Sequence, residues 1–176
     1  VTPPQDFLKM LRHHEGVRQR PYLCPAAIWT VGVGRVLYQE QIALPMVRKE
    51  GYGGLIRKDF PLKPEDNRTW SLEEVDRLLA QDLQYFAKGV TRLLNGKHSD
   101  NQLWACVSYS FNAGLGAFQR STMRQKHLRE DYEGAAGDWL TSRVTGGGKP
   151  LAGLIKRRKD EAELYLRGLG LSQESP

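Results

Sequence analysis

The sequence is poor in the features that commit a chain to a disulfide scaffold, a metal or a membrane. Only two cysteines, Cys24 and Cys106, occur in 176 residues, too few for a disulfide framework. No CxxC or Cys/His cluster has zinc spacing, and no HExxH is present. The adjacent His13 and His14 would point about 100° apart on a helix, which makes a poor metal pair. Gly32-Val33-Gly34 lacks the third glycine and the βαβ setting of a dinucleotide loop. No cofactor and no metal are expected. The longest apolar runs fall far short of the ~20 residues that span a bilayer, so stable membrane insertion is not expected either. No basic segment followed by an apolar one opens the sequence, so no signal peptide is visible. The first residue is Val1 rather than Met, which leaves open a targeting segment removed upstream. Internal repeats and low-complexity tracts are also missing.

What is present suits a soluble enzyme-sized domain. Hydrophobic residues make up 40% and charged residues 26%, enough for a core and ordinary for a soluble surface. The formal net charge is +6, and such a surface attracts polyanions, whether nucleic acid, anionic lipid or bacterial cell wall. The densest basic run, Lys156-Arg157-Arg158-Lys159, is followed at once by Asp160-Glu161 and reads as a solvated helix face. Nucleic acid is therefore not expected as a partner. Gln173-Glu174-Ser175-Pro176 reads as a frayed tail.

Along the chain, Pro3-Pro4 opens a short helix with Phe7, Leu8 and Leu11 on one face. Four residues beyond Leu11 stands Glu15, on the same apolar face, and Gly16 stops the helix. Residues 17 to 36 change character: Tyr22, Ile28, Trp29, Thr30, Val31 and Val33 favour strands, with Pro25, Gly32 and Gly34 as punctuation. A small antiparallel hairpin or meander is expected there. Residues 37 to 70, with Gly51, Gly53, Gly54, Pro61 and Pro64, predict an irregular insertion. Ser71-Leu72-Glu73-Glu74 is a capping box. Val75, Leu78, Leu79, Leu83, Phe86, Val90 and Leu94 then predict a helix of roughly six turns. A buried helix follows from about Asp100 to Asn112, then shorter helices near 118–128 and 132–140. Gly146-Gly147-Gly148 breaks the chain before a last helix over 151–166. The expected fold class is α+β: one domain over 1–176, with a β-containing lobe at about 17–70. A linking helix at about 71–94 leads to a helical lobe at about 95–170, on which the N-terminal helix packs, and the cleft lies between the lobes.

Glycosidic bond cleavage needs an acid for the leaving oxygen and a group on the other side that activates or replaces water. A carboxyl among apolar neighbours keeps its proton near neutrality, and the end of the first helix offers Glu15 such a setting. Cys24 stands nine residues beyond Glu15 and Thr30 six beyond that. The stretches are His14-Glu15-Gly16, Tyr22-Leu23-Cys24-Pro25 and Trp29-Thr30-Val31-Gly32-Val33-Gly34.

This pattern resembles the active-site signature of the phage lysozymes, glycoside hydrolase family 24. That family carries a glutamate, an aspartate or sometimes cysteine, and a threonine inside T-x-G-x-G at this spacing. Two further blocks resemble it: Ser110 to Phe118 with Ser121-Thr122-Met123, and Gly147 to Leu154 with Arg157-Arg158 and Glu161. The resemblance implies an endolysin that cuts peptidoglycan between N-acetylmuramic acid and N-acetylglucosamine. It makes Glu15 the general acid and Thr30 the holder of the attacking water. Phe111 and Asn112 match its cleft-lining helix, and Arg157 would supply a positive partner near Glu15. Trp29 adjoins the site as a residue for sugar contact or for packing. Trp104 and Trp139 read as core.

Cys24 departs from the commoner carboxylate. An ordinary thiol, with a pKa of about 8.5, is mostly neutral at pH 7. Four readings stay open: a thiolate, a polar ligand for water beside Thr30, a redox-sensitive switch, or a buried structural cysteine. Cys106, mid-helix among apolar residues, reads as core; a Cys24–Cys106 disulfide is neither demanded nor ruled out by the spacing. A lytic transglycosylase and a non-catalytic wall-binding relative are the competing functions; Thr30 argues against the first. The resemblance also implies a monomer made in an infected bacterium. It would reach the wall in the periplasm by holin-dependent release.

Overall fold

In a computed structural model, the described residues are 2–24, 26–48, 51, 53, 55–58, 60–146, 148–167 and 169. Pro25, Gly54, Gly147 and the tail expected at 173–176 lie outside them. The chain divides into two compact units, residues 8–82 and residues 1–7 with 83–176. The first helix, α1 (Gln5–Glu15), and the long α2 (Leu72–Leu93) each begin in one unit and end in the other.

The unit formed by residues 8–82 holds most of the β structure. Gly16, at a φ of 75°, donates to the Arg12 carbonyl at 2.9 Å and ends α1 as a left-handed stop. The chain then forms an antiparallel meander of β1 (Arg18–Leu23), β2 (Trp29–Gly32) and β3 (Arg35–Val36). Tyr22 faces Thr30, Leu23 faces Trp29, and Thr30 faces Val36. The expected irregular segment carries more structure than its composition suggested. It contains a 3-10 helix (Gln39–Ala43) and a hairpin of β4 (Met46–Arg48) with β5 (Leu55–Arg57). Tyr38, 4% exposed, donates to Asp66 at 2.6 Å, and Lys63 N–H donates back to its oxygen at 3.1 Å. Burial, then the Asp66 bond, pushes the Tyr38 phenol up to about 12, so this anchor stays protonated at ordinary pH.

The expected capping box opens α2. Glu74 N–H donates to Ser71 Oγ at 3.1 Å, and Ser71 N–H donates to Glu74 Oε2 at 2.8 Å. Arg68 binds the same carboxylate and, with the Ser71 N–H, holds Glu74 down to about 2. Arg12 fixes the last turn of α1 to α2 through both oxygens of Asp76, at 2.8 and 2.7 Å.

The other unit is helical. It comprises α3 (Asp100–Ala113), α4 (Leu115–Gln119), α5 (Thr122–Leu128), α6 (Tyr132–Trp139) and α7 (Ala152–Leu166). A short hairpin of β6 (Thr145–Gly146) and β7 (Lys149–Pro150) stands where the sequence showed only a glycine break. Helix α3 is the buried one, as its apolar circumference predicts, and Phe7 packs on its Trp104 with ring centroids 5.0 Å apart. Trp104, Trp139 and Cys106 are core residues, each at most 2% exposed. Cys24 and Cys106 are both free thiols. Burial, then the nearby Glu161 charge, pushes the Cys106 thiol well up, so it stays neutral.

The basic run at 156–159 corrects the expectation of a solvated face. Lys156 and Lys159 are exposed, but Arg157 and Arg158 are 2% and 0% exposed. The reason is Glu161, one turn later on the same side of α7. Its Oε1 accepts from Arg157 Nε at 3.0 Å and Ser108 Oγ at 2.6 Å, and its Oε2 accepts from Trp139 Nε1 at 2.9 Å and from Arg158. Charges that meet counter-charge and donors in the interior need not face water. Among the described residues, no helix is long and apolar enough to cross a membrane.

Candidate active site

Glu15 closes α1 and is exposed. The apolar enclosure expected for this acid is not found around it. Leu11, one turn earlier, is 0% exposed and holds the end of the helix down. Only two residues separate Glu15 from β1, so the acid and the sheet are joined by the shortest of connections.

The strand register brings the other two residues of the signature together. Beyond the Leu23–Trp29 pair, Cys24 N–H donates to the Ile28 carbonyl at 3.0 Å and continues the β1–β2 ladder. Side chains alternate along a strand, so Tyr22, Cys24, Ile28 and Thr30 share one face and Trp29 turns to the other. Thr30 is 3% exposed, and its hydroxyl donates to the Ile28 carbonyl at 3.0 Å. With that proton committed, the Thr30 oxygen has only lone pairs left to offer. The Cys24 side chain is half-buried.

Trp29 is half-buried, and its indole N–H donates to the Phe60 carbonyl at 2.9 Å. That bond pins Phe60 to the meander and fixes the ring. In the helical unit, Phe111 is half-buried against Phe86, with centroids 5.3 Å apart. Asn112 is exposed, and its Oδ1 accepts from Arg158. Arg157 donates through Nη2 to the Ser108 carbonyl at 2.9 Å, besides its bond to Glu161. A guanidinium this deeply buried can supply charge, but it has little surface to lay against a sugar. Among the described residues, no group of three or more His, Cys, Asp or Glu side chains could hold a metal ion.

Sequence reasoning missed Gln41 and Arg57. Both lie in the segment read as irregular, and both bond the turn between Cys24 and Trp29. No periodicity marks them, because each acts through a single side chain on distant backbone.

Comparison with known proteins shows what the chain is similar to. Residues 12–161 match the family described as "Phage lysozyme". The chain is 30% identical over 165 residues to an endolysin of Acyrthosiphon pisum secondary endosymbiont phage 1, covering 90% of this chain and 93% of that protein. It is 39% identical over 98 residues to an endolysin of Bacillus phage B103, covering 56% of this chain but 37% of that longer protein. Among solved structures, a P22 lysozyme variant superposes with a TM-score of 0.71 at 25% identity, covering 94% of this chain and 99% of the other.

Proposed function

This chain belongs to the phage lysozyme family, glycoside hydrolases of bacterial peptidoglycan, and we propose that Glu15, Cys24 and Thr30 carry that hydrolysis here. The bond cut is the β-1,4 link between N-acetylmuramic acid and N-acetylglucosamine. The observation that supports this assignment most is the β1–β2 register, in which Cys24 and Thr30 fall on one face of the sheet that follows Glu15 directly.

Glu15 gives its proton to the leaving glycosidic oxygen as the C1–O bond breaks. Thr30, its own proton held by the Ile28 carbonyl, accepts a hydrogen from the attacking water. The water's lone pair is then left for C1. Cys24, on the same face, is a second ligand of that water. As the new C–O bond forms, the water's proton leaves to solvent, and Glu15 is reprotonated for the next cycle. Phe111, Asn112 and Trp29 are the sugar-binding residues, and Arg157 contributes through its charge. The net charge of +6 suits an anionic wall.

The enzyme works as a monomer. It is made in the infected host's cytoplasm and acts on the wall in the periplasm after holin-dependent release.

Mass spectrometry of fragments from purified peptidoglycan tests the reading. Wild-type protein should release muropeptides ending in reducing N-acetylmuramic acid, and Glu15→Gln should release none while still binding the wall. Ends in 1,6-anhydro-muramic acid would make it a lytic transglycosylase. Lysis that survives Glu15→Gln would remove Glu15 from the mechanism.

A further inference from the structure

We propose that Gln41 and Arg57 are positioning residues of the active site: from a segment that carries no catalytic group, they clamp the turn that presents Cys24 ahead of Thr30. The proposal rests on the placement of Cys24 and Thr30 in the site.

Cys24 closes a tight turn with Ala27 and Ile28. Cys24 uses both backbone groups to close it, donating to the Ile28 carbonyl at 3.0 Å and accepting from Ala27 N–H at 2.7 Å. Closure forces Ala27 to a φ of 56°, in the left-handed region that a residue with a Cβ seldom adopts. Such a conformation persists only when its surroundings hold it, and the Ala27 methyl can form no hydrogen bond that would hold it. Its surroundings are Gln41 and Arg57.

Gln41 is 2% exposed, and its amide bridges the turn. Nε2 donates to the Ala27 carbonyl at 3.1 Å, and Oε1 accepts from Trp29 N–H at 2.8 Å. One partner can only accept and the other can only donate, so a primary amide satisfies both where a carboxylate or an apolar side chain cannot. Arg57 adds a second hold. Its Nε donates to the Ala26 carbonyl at 3.2 Å, while Nη1 donates to the carbonyls of Ile42 at 2.5 Å and Leu44 at 3.0 Å. The same guanidinium thus ties β5, the end of the 3-10 helix and the turn together. The 3-10 helix and the β4–β5 hairpin thereby gain a purpose: they deliver two side chains to three backbone sites, at Ala26, Ala27 and Trp29.

The experiment compares wild type with Gln41→Leu, Gln41→Glu and Arg57→Ala, all well below their melting temperatures. Alkylation of Cys24 by iodoacetamide, followed on its own peptide by mass spectrometry, reads the turn directly. The kcat and KM for soluble glycan fragments read its consequence. In Gln41→Leu the alkylation rate should rise several-fold and kcat should fall about tenfold or more with KM little changed, as misplacement of a reacting group predicts. Arg57→Ala should change both in the same direction by less. Gln41→Glu should work near the wild-type rate while its carboxyl is protonated, since that form both donates and accepts. It should lose kcat as pH rises and the carboxylate forms, a limb that a merely structural role would not produce. A folded Gln41→Leu with unchanged alkylation and kcat overturns the proposal. If Gln41→Leu does not fold, a Gln41→Glu pH profile parallel to wild type overturns it. Should Glu15→Gln retain full activity, the functional reading fails, and the alkylation rates alone still decide whether the clamp exists.

Discussion

Glu161 and Arg158, three residues apart on α7, meet as an ion pair with neither side chain exposed to solvent. The pair is one corner of a cluster in which every carboxylate oxygen of Glu161 accepts two donors, drawn from α3, α6 and α7 itself. Arg158 also stacks over Tyr109, 4.6 Å from the ring centroid, donates to Ser142 O at 3.0 Å and reaches Asn112. The network therefore links the packing of the helical unit to a residue proposed to touch sugar.

Removing the negative member of this cluster should be severe. Glu161→Gln keeps the volume but leaves two buried arginines short of their counter-charge and points an N–H at existing donors. Breaking a buried pair in this way costs about 3–5 kcal/mol. Urea unfolding of the variant should show a loss of that size; a loss below about 1 kcal/mol would mean that water reaches the site and screens it.

Much of this fold was legible because it depends on local chemistry. The capping box at Ser71, the helical spacing from Val75 to Leu94 and the stop at Gly16 each act within a few residues, and each stands where expected. The hairpin that carries Cys24 and Thr30 was legible for the same reason, from strand-favouring residues punctuated by Pro25, Gly32 and Gly34, whereas their roles came only from the family resemblance. Non-local chemistry was hidden. A run of four basic residues gives no sign that two point inward, because the partners that complete the cluster around them, Ser108, Ser142 and Asn112, lie far away in sequence. The spacing from Arg157 and Arg158 to Glu161, four and three residues on a helix, was the one available clue. Gln41 and Arg57 offered none.

Gly32 shows why a glycine stands inside the Thr30 strand. Its φ is 65°, and an added Cβ would lie 3.0 Å from Val75 Cγ1. Gly32→Ala should therefore lose roughly 1–2 kcal/mol from the left-handed backbone, plus whatever Val75 loses in giving way. Adding Val75→Ala to Gly32→Ala should recover the contact but not the backbone strain. A coupling free energy near zero in that double-mutant cycle would show that the contact relaxes without cost.

His127 predicts a pH dependence. It is 3% exposed, with its ring nitrogens 2.6 Å from the Tyr165 hydroxyl and 2.7 Å from the Lys97 carbonyl. Burial lowers its pKa below the ordinary 6.5, outweighing the Lys97 bond. The unfolded chain then binds a proton more readily than the folded one, so stability is full above about pH 6.5 and falls as pH drops toward the lower folded value. Unfolding measured between pH 7.5 and pH 5 should show this decline in wild type and a flatter profile in His127→Gln. Parallel profiles would assign the decline to other groups. Glu74, held near 2, acts only in a more acidic window, as pH falls below about 4.5.

Cys24 occupies the position where the family more often has a carboxylate, and substitution there discriminates among its possible roles. As a polar ligand of the attacking water, it should be replaceable. Cys24→Asp should keep activity within about tenfold of wild type or raise it, because a carboxylate accepts the water's proton as well as orienting it. Cys24→Ser should retain part of the rate and Cys24→Ala should lose on the order of 10²-fold, the usual cost of removing one positioned polar group. Iodoacetamide should inactivate wild type but not Cys24→Asp, since the remaining thiol, Cys106, is 1% exposed and kept neutral by burial. Assays of all three variants on purified peptidoglycan, with and without reductant, complete the test. Full activity in Cys24→Ala would take the thiol out of the mechanism and leave Glu15 and Thr30 as the working pair. Activity in wild type that rises and falls with reductant, while Cys24→Asp is indifferent, would make the thiol a redox-sensitive element as well as a ligand.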